Sequence, residues 1–183
     1  MISAGRPSIW CLSTKCTNSP SLNKAMEGGI STLLARESLY VIWQTGSAYF
    51  NGVSERVAAH PRLRLLKYVD RMDLTYTIAD LVLSRSGAIS CSELMVTGSP
   101  AVLVPSPNVA EDHQTKNAES MVSAGAAMML PERELKDNWV SNVLNLLDDE
   151  ARRNKMRASA LTLARPEAAD NIAKSILSII NVQ

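Results

Sequence analysis

Two short apolar runs, Leu81 to Leu83 and Ala101 to Val104, flank a helix-length segment with a glycine turn at each end, Ser86-Gly87 and Gly98-Ser-Pro100. Runs this short, bounded by turn residues, read as strands buried on both faces. Two strands joined through a helix are parallel neighbours in one sheet. The same alternation extends along the chain. Ser8 to Leu12, Tyr40 to Thr45, Leu63 to Lys67 and Ala127 to Leu130 read as further strands. Between them, Ser21 to Arg36, Val53 to Ala59, Leu74 to Ala79, Leu94 to Val96 and Asn117 to Ala124 carry helical segments. This argues for an α/β fold, a Rossmann-like parallel sheet with flanking helices. After Pro131 the pattern is wholly helical, with Asp137, then Asp148 or Asp149, as caps and a last helix from Glu167 to near Ile180.

A chain of 183 residues with 46% hydrophobic and 20% charged residues suits one packed domain over 1–183. A net charge of +1 and 4% aromatic residues give no basis for nucleic-acid binding. Cys11, Cys16 and Cys91 form neither a CxxC pair nor a metal-ligand set, which fits a reducing compartment. No apolar stretch approaches the roughly 20 residues that span a bilayer. Neither HExxH, GxSxG nor a Walker A sequence is present. Asp70, Asp73 and Asp80 read as caps, His60 as a loop residue, and Trp43 and Trp139 as packed in the core or against the terminal helices.

The chemistry concentrates in Asp80-Leu-Val-Leu-Ser-Arg-Ser-Gly-Ala-Ile-Ser-Cys-Ser-Glu93. A helix opening directly after a glycine turn at a strand's carboxyl end presents unbonded N–H groups and the positive end of its dipole. That combination suits phosphate or pyrophosphate. Glu93, one turn further in, is placed to accept hydrogen bonds from vicinal sugar hydroxyls. An ordinary βα turn has the same local pattern. The loop Ser106-Pro-Asn-Val-Ala-Glu-Asp-His-Gln-Thr-Lys-Asn117 gathers polar groups at the same sheet edge and puts His113, Gln114 and Asn117 on the first turn of a helix. Gln114 and Asn117 share a face at i, i+3, whereas His113 alone reads as a solvated residue. The first βα loop, Ser13-Thr-Lys-Cys-Thr-Asn-Ser-Pro20, has no glycine, although a loop approaching phosphate closely normally uses one.

From about Leu22 onward the chain resembles the C-terminal half of the MurG family, bacterial N-acetylglucosaminyltransferases of peptidoglycan synthesis. The resemblance is carried by Ile42-Trp-Gln-Thr-Gly46, by Ser84 to Glu93 and by the long segment Val104 to Ala118. It implies a two-domain glycosyltransferase fold of the GT-B type, of which this chain is the donor-binding half, with residues 1–21 poorly matched. It implies UDP-N-acetylglucosamine as donor substrate, no further cofactor, and a lipid-linked muramyl-pentapeptide as acceptor. The acceptor, lipid I, would be bound through an N-terminal domain absent from this chain or an equivalent subunit. The resemblance places the full-length enzyme in the cytoplasm, peripheral on the inner face of the membrane. It assigns the diphosphate to the backbone of Ala88, Ile89, Ser90, Cys91 and Ser92, and the ribose to Glu93. The sugar falls to Gln114 with His113 and Asn117 as neighbours, and the uracil to a backbone group of Val69. The family's glycine-rich loop would fall near Thr14 to Ser19, where this sequence differs and the matching serine is lost. The isolated chain is expected not to transfer sugar, and no catalytic base is assigned. The alternatives are a donor subunit of a split lipid-linked glycosyltransferase, which would co-purify with its acceptor subunit, and a non-catalytic remnant of the fold.

Overall fold

The computed structural model describes residues 8–13, 19–107 and 112–180. Strands β1 (Ser8–Ser13), β2 (Leu39–Gln44), β3 (Leu63–Leu66), β4 (Leu81–Ser84), β5 (Ala101–Leu103) and β6 (Ala127–Met129) form one sheet in the order β3-β2-β1-β4-β5-β6. All five pairings are parallel. Helices α1 (Pro20–Leu34), α2 (Ser47–Arg56), α3 (Met72–Ile78), α4 (Ala88–Thr97) and α5 (His113–Ser123) connect them. A 3-10 helix (Glu132–Lys136) then leads to α6 (Trp139–Asp148), α7 (Glu150–Leu163) and α8 (Ala168–Ile180).

Burial on both faces explains the continuous apolar runs of the central strands β4 and β5. Leu81 and Leu83 of β4 join a cluster with Leu22, Met26, Leu33, Trp43 and Val143, beneath α1 and α6. Val82, between them, points into the opposite cluster with Tyr76, Leu94, Met121 and Ala160, beneath α3, α4, α5 and α7. One polar bridge is built into the first layer. Trp43 Nε1 donates to Asn23 Oδ1 at 3.0 Å, and Asn23 Nδ2 donates to the Thr45 carbonyl at 3.0 Å, so α1 is pinned to the end of β2.

The helix ends follow from local chemistry. Pro20 opens α1, where its missing N–H is no loss. Gly98 ends α4 in the left-handed region at φ 62°, and a Cβ there would lie 2.9 Å from Leu161, so α7 crosses close above it. Asp149 caps α7 by accepting from the Arg152 N–H at 2.9 Å. Asp148 instead pairs with Arg36, and the guanidinium holds its carboxyl below the usual range. Asp137 caps no α-helix: it closes the 3-10 helix, and Asn138 stands at the N-cap of α6. Asp73 lies inside the first turn of α3 and pairs with Arg71, which lowers its carboxyl pKa to about 2. Every residue of α8 is exposed, and Ile172, Ile176, Leu177 and Ile180 form an uncovered apolar stripe.

Candidate functional site

The sheet order reverses direction between β1 and β4: the chain winds outward through β2 and β3, then returns to β4 and winds the other way. The loops leaving the carboxyl ends of two such strands diverge to opposite faces, and the crevice between them is where open parallel sheets take ligands. One of these loops is the turn Arg85–Gly87, leading into α4. The other, leaving β1, contains Thr14 to Ser19, so the expected difference in the glycine-rich loop falls, Ser19 apart, outside the described residues, as do Asn108 to Glu111.

Gly87 is the N-cap of α4, and no side chain caps it. The first helical bond at this end is from the Cys91 N–H to the Gly87 carbonyl, at 2.9 Å. The amides of Ala88, Ile89 and Ser90 therefore precede the intrahelical ladder, whereas those of Cys91 and Ser92 belong to it. Ala88 and Ile89 are exposed at the helix mouth and Ser90 is buried. Cys91 is buried, and desolvation pushes its thiol up to about 11, so it is a neutral packing group at physiological pH. Glu93 is half-buried and Ser92 exposed one turn into the helix.

The polar loop meets this turn directly. Ser86 Oγ donates to the Gln114 carbonyl at 2.7 Å, and Asn117 Nδ2 donates to the Ser86 carbonyl at 3.0 Å. Gln114 is 7% exposed, and its Oε1 accepts from the Ser106 N–H at 3.0 Å. Among the described residues its Nε2 donates to no acceptor. His113 is exposed and does not join the network. Val69 sits after β3, buried, with its N–H donating to Gln44 Oε1 at 2.9 Å. Turn, α4 mouth, Gln114 and Asn117 thus form one constellation, with Val69 at the far end of the same sheet edge.

Three contributors were not singled out from sequence: Ser86, Gln44 and Arg85. Arg85 is 4% exposed although it carries a charge. The available signal was its position, between a wholly buried strand and a tight turn, where the chain has not yet reached solvent. Among the described residues no group of His, Cys, Asp and Glu is placed to hold a metal ion. A cavity of about 1250 Å³ lies between α1 and the 3-10 helix, lined by Lys24, Gly28, Leu135, Trp139 and Val140 among others; the α4 mouth is not part of its wall.

The glycosyltransferase family 28 C-terminal domain matches residues 16–174. The chain belongs to that family. Within it, a protein of Salinibacter ruber is 47% identical over 161 residues, covering 88% of this chain and 44% of its own length. It is described as a UDP-N-acetylglucosamine–N-acetylmuramyl-(pentapeptide) pyrophosphoryl-undecaprenol N-acetylglucosamine transferase. A protein of the same description from Porphyromonas gingivalis is 43% identical over 148 residues, covering 80% of this chain and 39% of its own. The chain therefore spans less than half the length of either relative. The crystal structure of Acinetobacter baumannii MurG superposes with a TM-score of 0.82 over 96% of this chain and 51% of that one, at 23% identity. The family is thus shown by sequence, and the superposition adds the fold, the parallel sheet with flanking helices of GT-B glycosyltransferases.

Proposed function

We propose that this family 28 domain is the donor half of a transferase that moves N-acetylglucosamine from UDP-N-acetylglucosamine to a lipid-linked muramyl-pentapeptide. The carrying observation is the uncapped N-terminus of α4 at the sheet's switch point, bonded through Ser86 to the Gln114 helix. In this reading the diphosphate lies on the amides of Ala88, Ile89 and Ser90, and Glu93 accepts from the ribose hydroxyls. The Gln114 amide donates to the sugar, with Asn117 holding the turn beneath it. The Val69 N–H is committed to Gln44, so its carbonyl is the group assigned to the uracil. The α4 dipole favours the charge that grows on the diphosphate as the sugar leaves, an interaction stronger in the transition state than before it.

No residue here is assigned as base for the acceptor hydroxyl. That group, and the grip on the lipid-linked acceptor, belong to a second domain or subunit. The uncovered apolar stripe of α8 supports a second body packing there, and the lipid acceptor places the work at a membrane surface. Among the described residues no helix is long and apolar enough to cross a membrane.

Calorimetric titration of UDP and UDP-N-acetylglucosamine tests the assignment. Glu93→Ala removes a charged acceptor worth about 1.5–3 kcal/mol and weakens both ligands alike. Gln114→Ala weakens the sugar nucleotide and leaves UDP nearly unchanged. Equal losses for both ligands in both variants contradict this division, and no binding of either ligand to the parent chain at millimolar concentration overturns the function.

A further inference from the structure

Arg85 stands where β4 ends and the sheet order reverses, yet its side chain is only 5% exposed. Burial of a guanidinium is costly unless its donors are matched, and here every nitrogen has a partner. Nε donates to Ser19 Oγ at 3.0 Å and Nη2 to Ser21 Oγ at 2.8 Å, both at the start of α1. Nη1 donates to the carbonyls of Val104 at 3.1 Å and Pro105 at 3.0 Å, just beyond β5. Nη1 also lies 2.5 Å from Glu132 Oε2 in the 3-10 helix, a carboxylate 25% exposed. One planar group therefore ties the β4–α4 turn to three other segments of the carboxyl edge. It does so across the crevice between the two diverging loops.

We propose that Arg85 is a positioning residue of the donor site, setting the sugar-contacting loop against the mouth of α4. The link runs through Pro105 to Ser106, whose N–H holds the Gln114 side chain at 3.0 Å. The fork geometry matters. A lysine keeps the charge facing Glu132 but has one nitrogen, which cannot reach Ser19, Ser21 and two carbonyls at once. Val104 and Pro105 then lose the donor to their carbonyls, and the loop carrying Ser106 is free to shift. The amides of α4 are held by their own helix and by Ser86, so they stay in place. This inference rests on the donor-site reading above, and its signature is a change in discrimination between two ligands.

The test is Arg85→Lys in the full chain, read by calorimetry with UDP and UDP-N-acetylglucosamine and by amide hydrogen exchange without ligand. The expected result is an affinity for the sugar nucleotide reduced about tenfold and for UDP by no more than about threefold. Exchange quickens in 19–23 and at the Val104 and Ser106 amides and is unchanged in β2 and β3. Ser21→Ala, which removes a single contact, covers the case in which the lysine variant does not fold. It should quicken exchange at the Val104 and Ser106 amides, on a separate segment from the substitution, and cost the sugar nucleotide about twofold to threefold. If the parent chain binds both ligands and the variants keep its affinity ratio and exchange pattern, the positioning role is wrong and the donor site stands. If the parent chain binds neither ligand, the donor reading fails and takes the positioning role with it.

Discussion

Adjacent glycines in α1 should respond to the same substitution with opposite signs. Gly29 faces α6: a Cβ there would lie 2.3 Å from Trp139 Cζ2 and 2.7 Å from Val140 Cγ2. Carbon atoms in contact normally sit about 3.5–4.0 Å apart, so the indole must move by more than an ångström. Trp139 is itself buried at 4% exposure, so moving its ring disturbs the packing around it. Overpacking of this kind costs about 1–3 kcal/mol, and with a rigid ring as the obstacle the upper end applies. Alanine also gains about 1 kcal/mol of helix propensity over glycine, which leaves Gly29→Ala destabilised by about 1–2 kcal/mol. At Gly28 a Cβ meets nothing within 4 Å, so only the propensity gain remains, about 1 kcal/mol in the stabilising direction. Thermal unfolding followed by circular dichroism reads the pair. Each kcal/mol moves the Tm by about 2–4 °C in a domain of this size, so the two variants should fall on opposite sides of the parent. Equal shifts, or a stabilised Gly29→Ala, would refute the close approach of α1 and α6.

Asn23→Ala strips the buried Trp43 indole N–H and the Thr45 carbonyl of their partner together, and should cost about 2–4 kcal/mol in urea unfolding. A loss below about 0.5 kcal/mol would mean that the bridge does not hold α1 to β2. Cys91 should resist alkylation at pH 8 in the native state and react readily in denaturant, because burial keeps its thiol protonated up to about 11. The linkage follows in sign: the folded state favours the protonated thiol, so this group's contribution is intact below the ordinary 9.0 and is lost as pH rises towards 11. Native-state alkylation as fast as that of a free thiol would place Cys91 at the surface.

Much of the fold was legible because strands buried on both faces leave continuous apolar runs. Leu81 to Leu83 and Ala101 to Val104 could be placed within a residue, since glycine and proline punctuate both. The helix after β2 was harder. It begins at Ser47, not Val53, and buries Val53 alone, so its apolar periodicity is too weak to mark its first turn. The 3-10 helix after Pro131 has four charged residues around a single buried Leu135, which hides it from any periodicity argument. At the site, the α4 mouth and the Gln114 helix were readable from turn chemistry. The bond between them, Ser86 to the Gln114 carbonyl, depends on register between β4 and β5 and has no local trace. The same holds for Arg85, whose partners are 19 to 66 residues away in sequence.

The central claim is that the first three amides of α4 hold the diphosphate of a sugar nucleotide. Titrating UDP into the ¹⁵N-labelled chain and following the backbone amide resonances tests it at the atoms concerned. The account predicts saturable shifts greatest at Ala88, Ile89 and Ser90, with smaller ones at Glu93 and near Val69, and little change along the groove between α1 and the 3-10 helix. Shifts centred on Lys24, Arg133 and Lys136 in that groove, with the α4 amides unmoved, would contradict it.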